Sequence, residues 1–274
     1  MSDVSDLETA VALARAAGDI LLEVYAGDFD VEMKGASDPV TDADKRANAF
    51  LVEALAKAFP ADGIVAEETL DQSAAGNFER CWYVDPLDGT REFIKKNGEF
   101  SVMLGLAVGT EARLGVVYQP VGDRLYAGAV GHGAFTEVAG GARRPLTRDA
   151  GPEADLRMVV SRSHSSARID RVRETLPVTA TRRSGSVGLK LGLIAANEAD
   201  IYVHFSDRTC VWDCCGPEAI LRAAGGVVTD IRGDAFQYDG RIQNTYGILA
   251  GTAEAHALAL PVARAELEAA HAGQ

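Results

Sequence analysis

The stretch Trp82-Tyr83-Val84-Asp85-Pro86-Leu87-Asp88-Gly89-Thr90-Arg91-Glu92-Phe93-Ile94 decides how this chain is read, because an apolar run there delivers two carboxylates, a glycine and a hydroxyl in quick succession. Residues 81–84 have the continuous apolar character of a buried strand. Pro86 fixes its own φ and pushes Asp85 toward extended geometry, so a sharp turn is expected at the strand's end, with both carboxylates facing one point. Gly89 tolerates a backbone that other residues resist, and residues 90–94 can open a helix whose free N–H groups favour an anion. Such a corner suits a cation and a phosphate together.

Competing readings of the corner are weaker. Asp-Pro and Asp-Gly are ordinary turn dipeptides, but a surface turn does not require Asp85, Pro86, Asp88, Gly89 and Thr90 at once. A calcium loop of the EF-hand kind wants oxygen-bearing side chains where Leu87 and Gly89 stand. A phosphatase working through an aspartyl phosphate needs a nucleophilic carboxylate two residues before Asp88, and that position is Pro86.

Working outward, residues 64–66 read as a short strand that runs directly into Glu67-Glu68, and Glu67, leaving the strand first, is the better candidate for the corner. Upstream, Asp38-Pro39-Val40-Thr41-Asp42-Ala43-Asp44 opens a helix predicted over 42–59, with Ala47, Phe50, Leu51, Ala54, Leu55 and Ala58 as its apolar face. Its acids suit a helix start. Spacing leaves open whether Asp44 also faces the Asp85 turn as a ligand or water-orienting carboxylate. A first amphipathic helix is predicted over 6–25, capped by Ser5 with Glu8.

Beyond Phe100, apolar runs at 101–108, 113–119, 125–130 and 133–138, separated by Gly109-Thr110, Gly122-Asp123 and Gly131-His132-Gly133, predict an antiparallel meander. The polar, Gly- and Pro-containing stretch 139–156 is the expected boundary between an N-terminal domain (1–145) and a C-terminal one (146–274). The second half alternates strand and helix and ends in an alanine-rich helix, arguing for an α/β layer on a mixed sheet beside an α+β first half. Trp212-Asp213 opens one of its helices, where aspartate is a preferred cap, and Gly225-Gly226 ends it.

The net charge is −13, from 40 acidic and 27 basic residues in a chain of 274. With no basic run, nucleic-acid backbones and anionic membranes are disfavoured, while a small phosphate ester remains compatible through bound cations. No stretch approaches the apolar length of a membrane span and the N-terminus lacks a signal core, so a cytoplasmic protein is expected. Four cysteines are too few for a disulfide framework in a chain this long. Cys210, Cys214 and His204 lack paired zinc spacing, and zinc is excluded.

Four segments taken together, 38–44, 65–68, 82–100 and 211–226, resemble in sequence and order the magnesium-dependent, lithium-sensitive phosphatases of the inositol monophosphatase superfamily. Within it, 85–94 followed by Asn97-Gly98-Glu99-Phe100, Ser161-Arg162-Ser163-His164, Ser186 with Lys190, and Trp212-Asp213-Cys214-Cys215-Gly216-Pro217-Glu218 look closer to the CysQ-type 3'(2'),5'-bisphosphate nucleotidases. The resemblance implies a layered αβαβα sandwich. It implies that Glu67, Asp85, Asp88, Asp213 and the carbonyl of Leu87 bind Mg²⁺, with Asp44 near a further, weaker position, for two or three ions in all. Asp44, Glu67 and Thr90 would assist an attacking water, Gly89 and Thr90 would hold the phosphate, and Ser161, His164, Ser186 and Lys190 would contact a small phosphorylated substrate. A monomer or homodimer acting in sulfur metabolism is expected, with inositol or another sugar phosphate as the rival substrate. Cys214 and Cys215 directly follow Asp213, so peroxide sensitivity is a further expectation.

Overall fold

Helical spacing of small and branched apolar residues builds α1 (Asp3–Ala26), whose buried face runs from Leu7 through Ala10, Ala14, Ala17 and Leu21 to Val24. The helix is already formed at Asp3, so the predicted Ser5 cap lies inside it, where the Ser5 carbonyl accepts from the Thr9 hydroxyl instead. A two-stranded hairpin, β1 (Val31–Gly35) and β2 (Asp38–Thr41), leads into α2 (Asp42–Ala58). Thr41 caps α2, and Asp44 at the third position accepts the Thr41 backbone N–H in return. The coordinates form a computed structural model and describe residues 3–35, 38–69, 75–149, 151–163 and 166–272.

Both helices cover one face of a seven-stranded sheet. In spatial order it comprises β3 (Gly63–Ala66), β4 (Arg80–Asp88), β5 (Ser101–Val108), β6 (Glu111–Gln119), β7 (Arg124–Ala129), β8 (Gly133–Val138) and β9 (Arg144–Leu146), with the short helix α3 (Thr90–Ile94) between β4 and β5. β3 and β4 are parallel, and the meander from β4 onward is antiparallel as its short connections require. β9 falls in the stretch read from sequence as linker. Trp82, fully buried, stacks on Phe59 at 4.8 Å and donates its indole N–H to Asp62 at 3.0 Å, locking the end of α2 against β4.

The second half contributes β10 (Leu156–Ser161), α4 (Ala167–Thr175), β11 (Val178–Ser184), α5 (Val187–Ala195), β12 (Ile201–His204), β13 (Thr209–Cys210), α6 (Val211–Ala223), β14 (Val227–Thr229), β15 (Gln243–Asn244), β16 (Ile248–Gly251) and α7 (Ala253–Ala272). Five of these strands form a mixed sheet in the order β11-β10-β12-β16-β14, parallel among the first three and antiparallel at β16. α4 and α7 cover its outer face, while α5 and α6 lie between the two sheets. The result is an α/β/α/β/α layering. α6 reaches the first sheet through backbone: Gly105 and Gly115, paired across β5 and β6, both abut Gly216, and a Cβ at Gly115 would stand 1.9 Å from the Gly216 carbonyl oxygen. Only glycine permits that approach.

Candidate active site

Strand alternation decides which way each acid of the corner points. Trp82 and Val84 join the core under α1 and α2, and Tyr83 joins the core on the α5/α6 side, so Asp85 projects toward the middle layer, where the first turn of α6 carries Asp213. β4 does not turn at Pro86 as the sequence suggested. It runs on to Asp88 across a register shift between Asp85 and Asp88, because the missing proline N–H interrupts the ladder without ending it. Asp85 folds back to accept the Leu87 N–H at 3.0 Å. Gly89 then takes φ +100°, the left-handed conformation expected of it, to start α3.

α3 closes after five residues, so it offers little of the field expected for an anion. The helix start that acts here is that of α5. Asp88 Oδ2 accepts the Ser186 hydroxyl at 2.6 Å and the backbone N–H groups of Val187 and Gly188. Ser186 also shares a hydrogen bond with Ser101 at 2.8 Å, tying the end of β4 to the second half of the chain.

Glu67 continues the ladder, its N–H donating to the Val84 carbonyl at 3.0 Å, which sets its side chain beside Asp85. Asp213 sits third in α6 rather than as its cap. Cys210 holds the cap position, and its N–H donates to Asp213 Oδ2 at 2.7 Å. Burial and then the neighbouring charges of Glu67, Asp88 and Asp213 push the Asp85 carboxyl far above its ordinary range. Asp213 is driven up likewise by burial, Asp88 and Glu67.

Asp44 is buried and accepts from both the Thr41 N–H and hydroxyl at 2.7 Å. Desolvation nonetheless raises it to about 6. The Thr90 hydroxyl lies 3.2 Å from Asp44 Oδ1 and 3.3 Å from the Leu87 carbonyl, so its one hydrogen is shared between two acceptors. Of the alternatives left open by spacing, the structure thus joins Asp44 to the corner through Thr90.

Glu67, Asp88, Gly89, Thr90, Ser161, Ser186, Lys190 and Asp213 line one cavity of about 1000 Å³, with Asp44 and Asp85 behind its wall. That volume is at the upper end for small-ligand sites. Lys190 is buried and donates to the carbonyls of Gly185 at 3.2 Å and Ser186 at 2.6 Å, and burial lowers its ammonium to about 8. His164 lies outside the described residues. Tyr202, Arg208 and Gln243 also line the cavity and were not singled out in the sequence, and Trp212, read there only as part of a helix start and a family segment, joins them. Glu99, quoted from the sequence only within the 97–100 segment and given no role there, accepts the Gly185 N–H at 2.7 Å and pairs with Arg162. For Arg208 the available signal was its place in the loop that runs straight into Trp212-Asp213.

Like charges gathered in a low-dielectric pocket repel unless a cation joins them. Carboxylates and a backbone carbonyl form the oxygen-donor set a hard divalent ion prefers, so the chemistry fits. Among the described residues, however, no three His, Cys, Asp or Glu side chains stand in a ready-made coordination arrangement. One oxygen each of Asp85, Asp88 and Asp213 accepts from protein N–H groups, which leaves the second oxygen of each carboxylate. Cys214 and Cys215 are buried with their thiols held protonated far above the ordinary range, chiefly by desolvation. Placed so, they are the reverse of reactive thiols, and the expected peroxide sensitivity finds no support at these positions.

A model of the inositol monophosphatase family matches residues 3–268. The chain is 37% identical over 238 residues to the 3'(2'),5'-bisphosphate nucleotidase CysQ of Escherichia coli K12, covering 86% of this chain and 94% of that protein. It is 33% identical over 248 residues to inositol monophosphatase 3 of Solanum lycopersicum, covering 86% and 89%. Among solved structures, the extragenic suppressor protein suhB of Bartonella henselae superposes with a TM-score of 0.81 at 25% identity, over 95% of this chain and 98% of that one. No helix of the described residues is long and apolar enough to cross a membrane.

Proposed function

The chain belongs to the inositol monophosphatase family, and we propose that it is a 3'(2'),5'-bisphosphate nucleotidase that hydrolyses adenosine 3',5'-bisphosphate to AMP and phosphate. The observation that carries the reading is the 37% identity to a CysQ nucleotidase along nearly the whole chain, together with a cavity that has room for a nucleotide beyond the acid corner.

Mg²⁺ would be held by Glu67, Asp85, the Leu87 carbonyl, Asp88 and Asp213, with Asp44 near a further position, and when bound it supplies charge neutralisation and a more acidic water. The chain's own residues do the rest. Asp44 accepts the Thr90 hydroxyl hydrogen at 3.2 Å, which turns the Thr90 lone pairs toward a water in the cavity and orients it for attack on phosphorus. Ser186 and the α5 N–H groups fix one oxygen of Asp88, leaving the other to the cavity. Ser161, Ser186 and Lys190 face the substrate. No protein nucleophile is involved, so the phosphoryl group passes directly to water. Lithium inhibition and work in the cytoplasm, within sulfur metabolism, complete the reading.

The 33% identity to an inositol monophosphatase sustains a second reading, hydrolysis of inositol 1-phosphate at the same corner. Turnover of both compounds in Mg²⁺, measured side by side, decides. The proposal expects kcat/KM at least about tenfold higher for adenosine 3',5'-bisphosphate, and a preference for inositol 1-phosphate would overturn it.

A further inference from the structure

A bisphosphate brings two anions into the cavity, and the acid corner accounts for one. Three cationic side chains line the wall, Arg91, Lys190 and Arg208. Lys190 already donates to two backbone carbonyls, and Arg91 has a partner of its own. Arg208 differs. It is exposed to the cavity, and among the described residues its guanidinium makes no ion pair, hydrogen bond or ring contact, in a chain of net charge −13 where most arginines are paired.

Its backbone, by contrast, is held on both sides. The Arg208 N–H donates to Ser206 Oγ at 3.0 Å and its carbonyl accepts the Cys210 thiol at 3.7 Å. Cys210 in turn caps α6 and binds Asp213. The guanidinium is therefore carried on a loop anchored to the same helix start as the acid corner, with its five donors uncommitted.

A guanidinium fork in that state matches a phosphate monoester in charge and geometry. Resting on the nucleotide reading above, we infer that Arg208 binds the phosphate that is not hydrolysed and so sets the preference for bisphosphates over monophosphates. A neighbouring cavity of about 300 Å³, which shares Ser161, Ser166 and Ile169 with the main one, holds Arg173 and Arg183. It is the poorer anion site because Asp170 also lines it and pairs with Arg173 at 3.1 Å.

The test uses adenosine 3',5'-bisphosphate and 3'-AMP, which differ only in the 5'-phosphate, with kcat and KM measured for the wild type, Arg208→Gln, Arg208→Lys and Arg183→Gln. Wild type should favour the bisphosphate in KM. Arg208→Gln should raise the bisphosphate KM about tenfold, with a far smaller change for 3'-AMP, so that the KM ratio collapses while kcat for the bisphosphate moves little. Arg208→Lys should restore part of the ratio, and Arg183→Gln should keep it. An unchanged ratio in Arg208→Gln, or collapse in Arg183→Gln instead, overturns the assignment while leaving the nucleotidase reading intact. A wild type that does not distinguish the two substrates likewise overturns the assignment alone, whereas a wild type that turns over neither overturns the nucleotidase reading.

Discussion

Asp213 reaches the corner only because α6 lies directly on the paired strands β5 and β6, and Gly115→Ala attacks that seat without touching the site. The added Cβ would stand 1.9 Å from the Gly216 carbonyl oxygen, whereas real Cβ contacts essentially never fall below 3.0 Å, so the two backbones must part by about 1 Å. No side chain can swing away to relieve it. Overpacking of this kind costs about 3 kcal/mol, the upper end of the usual range. In a chain of 274 residues that lowers Tm by about 5 °C. Because Asp213 sits less than one turn before Gly216, a displacement of that size should also cut kcat/KM about a hundredfold. Differential scanning calorimetry and phosphate release measure the two effects on one preparation. Gly27→Ala, whose Cβ meets nothing closer than 3.8 Å, is the control and should match wild type. Wild-type Tm and activity in Gly115→Ala would refute the claim that this backbone contact positions the corner.

Thr90→Ala should lower kcat about a hundredfold or more with a smaller change in KM, because it removes the hydroxyl between Asp44 and the cavity; steady-state kinetics check it. Glu218, buried against Tyr238 at 2.7 Å and Arg222 at 3.1 Å, is raised by desolvation to about 7 from an ordinary 4.5. The folded state thus favours its protonated form, so its stabilising contribution is complete below pH 4.5 and is lost as pH rises through about 7. Wild type should lose about 3 kcal/mol relative to Glu218→Gln between pH 4.5 and 8 in urea denaturation, and parallel profiles would contradict this. Thiol titration of the native protein should label Cys210 quickly and the buried Cys81, Cys214 and Cys215 only after denaturation.

Much of this architecture was legible because local signals and tertiary demands agreed. The apolar face of α2 and the Thr41-to-Asp44 opening, the strand into Glu67, and the glycine-punctuated meander each read from spacing alone. Pro86 misled, since a proline suggests a turn but a bulged strand can absorb it, and pairing with β5 resumes at Asp88. Short strands such as β9 and β13 were missed because two or three residues carry no periodicity. In the site, the acids announced themselves by clustering. The role of α5 in holding Asp88, and the placing of Glu99 against Gly185, depend on contacts between residues 98 and 86 positions apart, which no local pattern encodes.

The central claim is that carboxylates from three separate segments serve one divalent-ion site, and calorimetric titration of Mg²⁺ into the wild type, Glu67→Gln and Asp213→Asn tests it most directly. The account predicts saturable binding by the wild type and at least about tenfold weaker binding in both variants, although the two residues lie on different halves of the chain. Wild-type affinity in either variant would contradict it.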